Sequence, residues 1–276
     1  MLVFHSHCQM ANQMFIYACA VSLAKKKRLH YCISELGHLS YFKLSLSDHL
    51  FNGLKYNWFR VANKLSGKYQ YHHLQNGFEE YAEAMLQHSA NSWYYGYFQG
   101  EKYFYNNADE IKKRFTIKKR YVKQFNEYYS TIKSNKKTVA VHIRRKDYND
   151  FNLKEISGPN LCLPNNYYRK CLEQYINNKQ YQIVFLSDDI AGVQGDFADI
   201  PEAVFSENEA IVDFQILANA DVLILANSSF SWWGAWLNQK SDKIVFVPEY
   251  FLGFKVKKEY PVNIIPQSWK QVEVYE

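Results

Sequence analysis

Long apolar runs are missing from this sequence. No stretch reaches the roughly 18 consecutive apolar residues of a membrane-spanning helix, and His5, His7, Gln9, Asn12 and Gln13 interrupt the N-terminus before a leader-like core can form. The five cysteines, Cys8, Cys19, Cys32, Cys162 and Cys171, are odd in number and include no CxxC pair. That pattern argues against a disulfide framework and a zinc site, and for a reducing compartment. Concentrated charge of one sign is absent as well. The 33 basic and 27 acidic side chains leave a net charge of +6 over 276 residues, too dilute for the basic stripe of a nucleic-acid binder. It suits an anionic ligand such as a nucleotide sugar, or a weak pull toward an acidic membrane surface. The densest run, Lys25-Lys26-Lys27-Arg28, falls at the end of an expected helix, where the helix dipole favours cations. Internal repeats and low-complexity tracts are also lacking. The expectation is a cytoplasmic chain with at most peripheral contact at the inner face of the membrane and no nucleic-acid partner.

What the sequence does have is apolar bulk and aromatic rings. Hydrophobic residues make up 47% and aromatics 17%, with 23 Tyr and 19 Phe, so a sizeable core is expected and disorder is not. Tyr suits sugar-binding clefts and ordinary cores equally, and composition does not choose between them. The length fits two domains. The N-terminal part opens with a strand over Leu2–His5, a helix over Asn12–Lys27 with Asn12 as its N-cap, and a strand over Leu29–Ile33. Residues 35–110 carry no clear period apart from a strand-like segment at Trp93–Gln99. A charged helical stretch at Asn107–Ile132 leads into the polar run Lys133–Lys137, the expected boundary between domains at 1–135 and 136–276. Beyond it, strands at Thr138–Ile143, Gln182–Ser187, Asp221–Ala226 and Lys243–Val247 alternate with helices at Asn165–Asn177, Ala210–Asn219 and Ser229–Asn238. Nearly continuous Val, Ile, Leu and Phe in these strands imply an α/β fold whose parallel sheet is covered on both faces. Such sheets bind ligands at the carboxyl ends of their strands.

Three polar motifs fall at those ends. In Val139–Tyr148 the residues Ala140, His142 and Arg144 share one strand face, and two successive arginines, Arg144 and Arg145, close the strand. Guanidinium groups there call for a diphosphate or a carboxylate, and an internal ion pair with Asp147 is the plainer reading. In Phe185–Asp189 a buried strand runs into Ser187, Asp188 and Asp189. These could pair on a metal, accept hydrogen bonds from a nucleoside, or cap and turn a helix. In Asp221–Trp236 a strand passes through Asn227 and Ser228 into a helix opened by Ser229 and Phe230. Its N-terminal amides suit an anion, and simple N-capping is compatible with that role. Trp232, Trp233 and Trp236 read first as packing anchors.

The segment His142–Tyr148 resembles the HxRRxDY motif of α-1,2-fucosyltransferases, glycosyltransferase family 11. Asn227–Asn238, NSSFSWWGAWLN, is similar to that family's C-terminal motif. Asp213 with Leu217 stands where the family has its D..LM stretch, and Ser187, Asp188 and Asp189 match in order and spacing. Asn12-Gln13-Met14-Phe15 and Tyr17-Ala18 resemble the end of a GxxGNQMFxYA signature, and Gly96–Gln99 with Glu101–Phe104 resembles GYFQSEKYF.

The resemblance implies a GT-B fold of two Rossmann-like domains with a cleft between them. It implies acceptor binding by the first domain and GDP-fucose binding by the second. The reaction it implies is an inverting, metal-independent transfer of L-fucose to an oligosaccharide or lipid-linked glycan, α-1,2-linked, in surface polysaccharide or O-antigen synthesis. No cofactor is called for. By resemblance, Arg144 holds the departing diphosphate and His142 contacts the nucleotide or phosphate. Ser228, Ser229 and Phe230 bind the diphosphate through backbone amides. Arg145, Ser187, Asp188, Asp189, Asp213 and Asn227 complete the donor site, with Ser187, Asp188 and Asp189 near the nucleoside. Asp147 is the candidate base, or else orients the arginines. Asn12 and Gln13 are expected in an N-terminal loop facing the cleft. Two departures bear on the acceptor: Cys8 and Ala11 replace the signature glycines, and Lys146 replaces the glycine usual before Asp147. A transferase for another GDP-deoxyhexose and a non-catalytic glycan-binding relic are the competing readings.

Overall fold

The computed structural model describes residues 1–74, 83–132, 135–153, 156 and 158–275. It has two compact units, Met1–Lys118 with Pro261–Ile264, and Lys119–Tyr260 with Ile265–Glu276.

The first unit runs β1 (Leu2–His5), α1 (Met10–Lys27), β2 (Tyr31–Ile33), α2 (Leu46–Ser66), β3 (Gln70–Leu74), α3 (Ala84–Gln87), β4 (Ser92–Gly96) and α4 (Ala108–Arg114). Its strands form one parallel sheet in the order β2-β1-β4-β3. Leu2, Val3 and Phe4 are wholly buried because β1 is a central strand covered by helices. Helix α1 begins at Met10, flanked by Gln9, rather than at an Asn12 cap. The Asn12 side chain is engaged elsewhere, its Oδ1 accepting from Gln99 Nε2 at 3.0 Å. Lys25, Lys26 and Lys27 do occupy the last turn of α1, and Arg28 closes it in a left-handed conformation. Asp48 of α2 ties the unit together: it accepts from Tyr17 at 2.6 Å and Tyr31 at 2.7 Å and pairs with Arg114 at 3.0 Å.

The charged stretch expected as one helix is two, α4 and α5 (Lys119–Ile132). Between them Ile117 bridges Phe42 in an extended conformation. Helix α5 belongs to the second unit, because Gln215 donates to the Tyr121 carbonyl at 3.0 Å and joins it to a helix there. The units therefore divide at 118/119, ahead of the polar run. Lys133 and Ser134 of that run lie outside the described residues.

The second unit continues with β5 (Lys137–Ile143), α6 (Lys146–Asp150), the short hairpin β6 (Asn152–Leu153) and β7 (Gly158–Pro159), α7 (Asn165–Leu172), β8 (Tyr181–Ser187), α8 (Ile190–Asp196), β9 (Val204–Phe205), α9 (Ala210–Asn219), β10 (Val222–Ile224), α10 (Ser229–Leu237), β11 (Ile244–Pro248) and β12 (Lys270–Val272). Helix α7 stops at Leu172 instead of reaching Asn177, which takes a left-handed φ of 64°. The main sheet is parallel throughout, in the order β12-β11-β10-β5-β8-β9. Counted by appearance from the β9 edge, that is the 3-2-1-4-5-6 order of a Rossmann sheet, with its switch point between β5 and β10. Val139, Val141, Phe185 and Ile224 build the buried centre. Trp232 and Trp233 are wholly buried and stack with Trp236 and Trp269, as packing anchors do. Among the described residues, no helix is long and apolar enough to cross a membrane.

Candidate active site

The sheet register sets the three motifs side by side. Ser187 pairs with Ile143, and Ile224 with Val141, so the ends of β8, β5 and β10 lie in sequence along one carboxyl edge. The switch point separates His142 and Arg144 on one side from Asn227 and Ser228 on the other.

His142 is the last buried polar side chain before the arginines. Burial, helped by the Arg144 charge, pushes its pKa down to about 3, so the imidazole is neutral. Its ring lies 5.2 Å from that of Phe230 in the first turn of α10. Its Nδ1 is buried with no hydrogen-bond partner, an arrangement that costs about 1–3 kcal/mol unless something fills it. Asn227 Oδ1 is in the same position, while its Nδ2 donates to the Leu161 carbonyl at 2.9 Å.

The two arginines part company. Arg144 spreads its fork between Asp147, at 2.8 Å, and Asp188, at 3.2 Å. The ion-pair reading of Arg144 and Asp147 is thus present, with Asp188 as a second arm. Arg145 turns away: its side chain pairs with Asp196 at 2.5 Å and donates to Asn165 at 2.9 Å, while its backbone N–H donates to Asp188 at 2.9 Å. Of the two, Arg144 is the one that stays beside the switch point, held by Asp147 and Asp188.

The paired acids have divided labour. Ser187 Oγ accepts from the Asp189 amide at 3.0 Å, and the Asp189 carboxylate caps α8 by accepting from Gly192 N at 3.4 Å. Asp188 alone reaches the arginines. No group of three His, Cys, Asp or Glu among the described residues is arranged to hold a metal ion.

At the start of α10 the Ser228 side chain accepts from the Phe230 amide at 3.3 Å, and the Ser231 hydroxyl donates to the Ser228 carbonyl at 3.2 Å. Ser229 and Phe230, half-buried, form the first turn. Asp213 stands apart on α9, where Ser206 Oγ donates to it at 2.5 Å and burial raises its pKa to about 7. In the first unit Asn12 and Gln13 occupy the first turn of α1, not a loop. Gln13 is buried and its Nε2 donates to the Cys8 carbonyl at 3.3 Å.

Several contributors escaped sequence reasoning. Tyr148 stands inside the quoted motif, yet its part appears only in three dimensions. Its hydroxyl donates to the Asn227 carbonyl at 3.1 Å, and its ring lies 5.6 Å from the Arg144 guanidinium. Asn165 and Asp196, which hold Arg145, gave no signal beyond a helix start after Pro164. In the first unit the carboxyl ends of β1, β4 and β3 carry His5, Tyr95 and His73 in register. Their rings stack at 5.0 and 4.7 Å, and His7 lies on Tyr95 at 4.7 Å. Period-two strand patterns this short carry no mark of such a stack.

A cationic fork, a neutral imidazole and a helix N-terminus around one switch point suit an anionic phosphate ligand. Two parallel-sheet α/β units, the second in Rossmann order, are those of the GT-B class of glycosyltransferase folds. Solved structures agree on the fold. Fucosyltransferase NodZ from Bradyrhizobium matches with a TM-score of 0.53 at 12% identity, over 84% of this chain and 91% of that one. POFUT1 in complex with GDP matches with a TM-score of 0.52 at 12% identity, over 88% and 96%. The chain belongs to glycosyl transferase family 11, whose model matches residues 52–259. Two Escherichia coli proteins are similar over a shorter stretch. The O-antigen biosynthesis glycosyltransferase WbnK is 32% identical over 174 residues, 58% of this chain and 55% of that protein. An alpha-1,2-colitosyltransferase is 30% identical over 185 residues, 64% and 61%. The matches thus span little more than half of those relatives.

Proposed function

We propose that this chain is an inverting glycosyltransferase that moves L-fucose from GDP-fucose to a glycan hydroxyl, α-1,2-linked, during surface polysaccharide or O-antigen assembly. The observation that carries the reading is Arg144 beside the start of α10 at the Rossmann switch point, because the leaving group is a diphosphate. In the transfer, the acceptor oxygen bonds to the sugar C1 as the bond from C1 to the β-phosphate oxygen breaks. The electron pair leaves with GDP. Arg144 and the amides at Ser229 and Phe230 stabilise that growing charge without a metal ion in this reading. His142, neutral and fixed, offers a hydrogen bond without adding charge. Asp147 takes the acceptor proton once the diphosphate has drawn Arg144 away from it. The GDP-sugar is assigned to the second unit and acceptor recognition to the first, where the His5–Tyr95–His73 stack offers ring faces to a pyranose.

A second reading has a specific observation behind it: one relative is named for colitose, so the donor here is either fucose or another GDP-linked deoxyhexose. Purified protein supplied with a panel of GDP-sugars separates the two. Hydrolysis or transfer from GDP-fucose, abolished in Arg144→Ala, supports the first. Turnover restricted to another GDP-deoxyhexose moves the assignment to the second. GDP binding without turnover of any donor identifies a glycan-binding relic.

A further inference from the structure

Helix α2 has a covered face of mixed character and an apolar face that nothing covers among the described residues. Asp48, Asn52 and Phe59 fall on the inner face and are buried. Asn52 exchanges hydrogen bonds with Ile33, at 2.9 and 2.6 Å, and Phe59 packs on Val3 and Cys32. On the opposite side Leu46, Leu50, Leu54, Trp58, Val61 and Leu65 recur at steps of four, four, four, three and four. At helical pitch they lie within an arc of about 120° and make a stripe about 29 Å long. All six are exposed, Trp58 at 67% and Leu65 at 83%. Monomeric proteins rarely leave so long an apolar strip in water. The helix is anchored by its other face, so this exposure is not the by-product of a loosely placed element.

Charge selects the occupant. Asp48 is the only acid in α2, and it is buried against Arg114, Tyr17 and Tyr31. The charged residues left along the helix are all cations: Arg60 and Lys64 border the stripe on one side, while Lys55 lies further round, toward the face that carries Asp48. Lys68 follows just past the C-cap Gly67. A second copy of the same face brings more cations and no counter-charge. Anionic lipid headgroups supply the counter-charge, and the acyl boundary takes up the leucines and Trp58.

We propose that α2 docks flat on an anionic lipid surface, with its outer stripe in the headgroup boundary and Arg60 and Lys64 at phosphate level. The proposal is independent of the donor reading, since none of these residues lies in the second unit.

The test is co-sedimentation of the full chain with vesicles of equal parts phosphatidylglycerol and phosphatidylcholine, against vesicles of phosphatidylcholine alone. Binding is expected to the mixed vesicles and to weaken with salt. Trp58→Ser with Leu54→Ser should lower partitioning at least about tenfold. Arg60→Gln with Lys64→Gln should lower it about tenfold on the mixed vesicles and leave phosphatidylcholine unaffected. Unchanged unfolding midpoints and GDP affinity would show that both variants are folded. Absence of binding to the mixed vesicles, or equal binding to the neutral ones, overturns the proposal. So does a sedimentation-velocity dimer that Trp58→Ser turns into a monomer, which would assign the stripe to a second copy.

Discussion

The Tyr148 hydroxyl donates to the Asn227 carbonyl at 3.1 Å, across the switch point between β5 and β10. It joins the end of the arginine motif to the turn that opens α10, and its ring stands beside Arg144. One half-buried residue thus links a guanidinium to a helix N-terminus. Tyr148→Phe keeps the ring and deletes only the hydrogen bond, so the fold should lose about 1 kcal/mol. GDP affinity should fall several-fold as the two halves of the phosphate site loosen. Calorimetric titration with GDP measures it, and an unchanged affinity would show that the spacing is set by the sheet alone.

Arg144 and Asp147 form one ion pair but are assigned different tasks, and substitution separates them. Arg144→Ala removes a charge-assisted partner of the diphosphate and should weaken GDP binding by tenfold or more. Asp147→Asn should leave GDP binding nearly intact and cut kcat by about 10²–10⁴, the range of a general base. Near-normal turnover in Asp147→Asn would return that residue to an orienting role.

Two buried groups give stability opposite dependences on pH. His142 is neutral in the fold, with a pKa near 3 against 6.5 when unfolded. As pH falls below 6.5 the unfolded chain takes the proton first, and stability drops. Burial lowers His7, His72 and His88 too, in the same direction. Asp213 is raised to about 7 from 3.8, so its stabilisation is full at low pH and is lost as pH rises through 7. Over the shared window each changes by up to about 1.4 kcal/mol per pH unit, and the two largely cancel. Asp213→Asn removes one limb: that variant should lose at least about 1 kcal/mol between about pH 6.5 and 5.5, read by urea unfolding. A flat profile in the variant would mean that none of these histidines, His142 included, is held neutral.

The second unit was legible in the sequence because its strands are near-continuous apolar runs with polar motifs at their ends. Helix α9 falls on its expected bounds, and α10 differs by one residue. What escaped was partner choice. Adjacent arginines look alike in a strand pattern, and only the placement of Asp196 and Asn165 sends Arg145 away while Arg144 stays. The first unit was harder for a different reason. Its strands β2, β3 and β4 have three to five residues, too short for a period to declare itself. Helix α2 does repeat at helical pitch, against the expectation of no clear period in residues 35–110; its outer stripe mimics a core-facing helix, and such a pattern names an apolar face without saying what lies against it.

The ring stack of the first unit gives the acceptor assignment its own test. Tyr95 lies between His5 and His73, with His7 also stacked on it. If the stack holds a pyranose on its outer faces, Tyr95→Ala, which removes the ring that orders the flanking imidazoles, should raise KM for the acceptor about tenfold, equivalent to roughly 1 kcal/mol or more. GDP affinity and donor hydrolysis should not change. An unaltered acceptor KM would locate acceptor recognition elsewhere.

Of the two positions where signature glycines are replaced, only one asks anything of the backbone. Ala11 lies inside α1 and is helical and buried, a setting in which alanine is the better residue. Cys8 is held at φ 64°, the left-handed region that glycine enters without a steric penalty. For a residue with a Cβ that conformation costs about 1–2 kcal/mol. The loop from β1 to α1 therefore passes through a glycine-type conformation at a residue that has a Cβ, and the Gln13 side chain bonds to the Cys8 carbonyl where the chain turns. Cys8→Gly should relieve the strain. Because glycine gives back part of the gain through its greater freedom in the unfolded chain, the net should be about 0.5–1 kcal/mol of added stability. The substitution gives up a 3.7 Å approach of the thiol to the Tyr97 hydroxyl. A raised thermal midpoint in Cys8→Gly, with Cys8→Ala unchanged or lower, would establish that the strain is in the backbone. Equal midpoints in all three proteins would mean that the loop relaxes out of the left-handed conformation in solution.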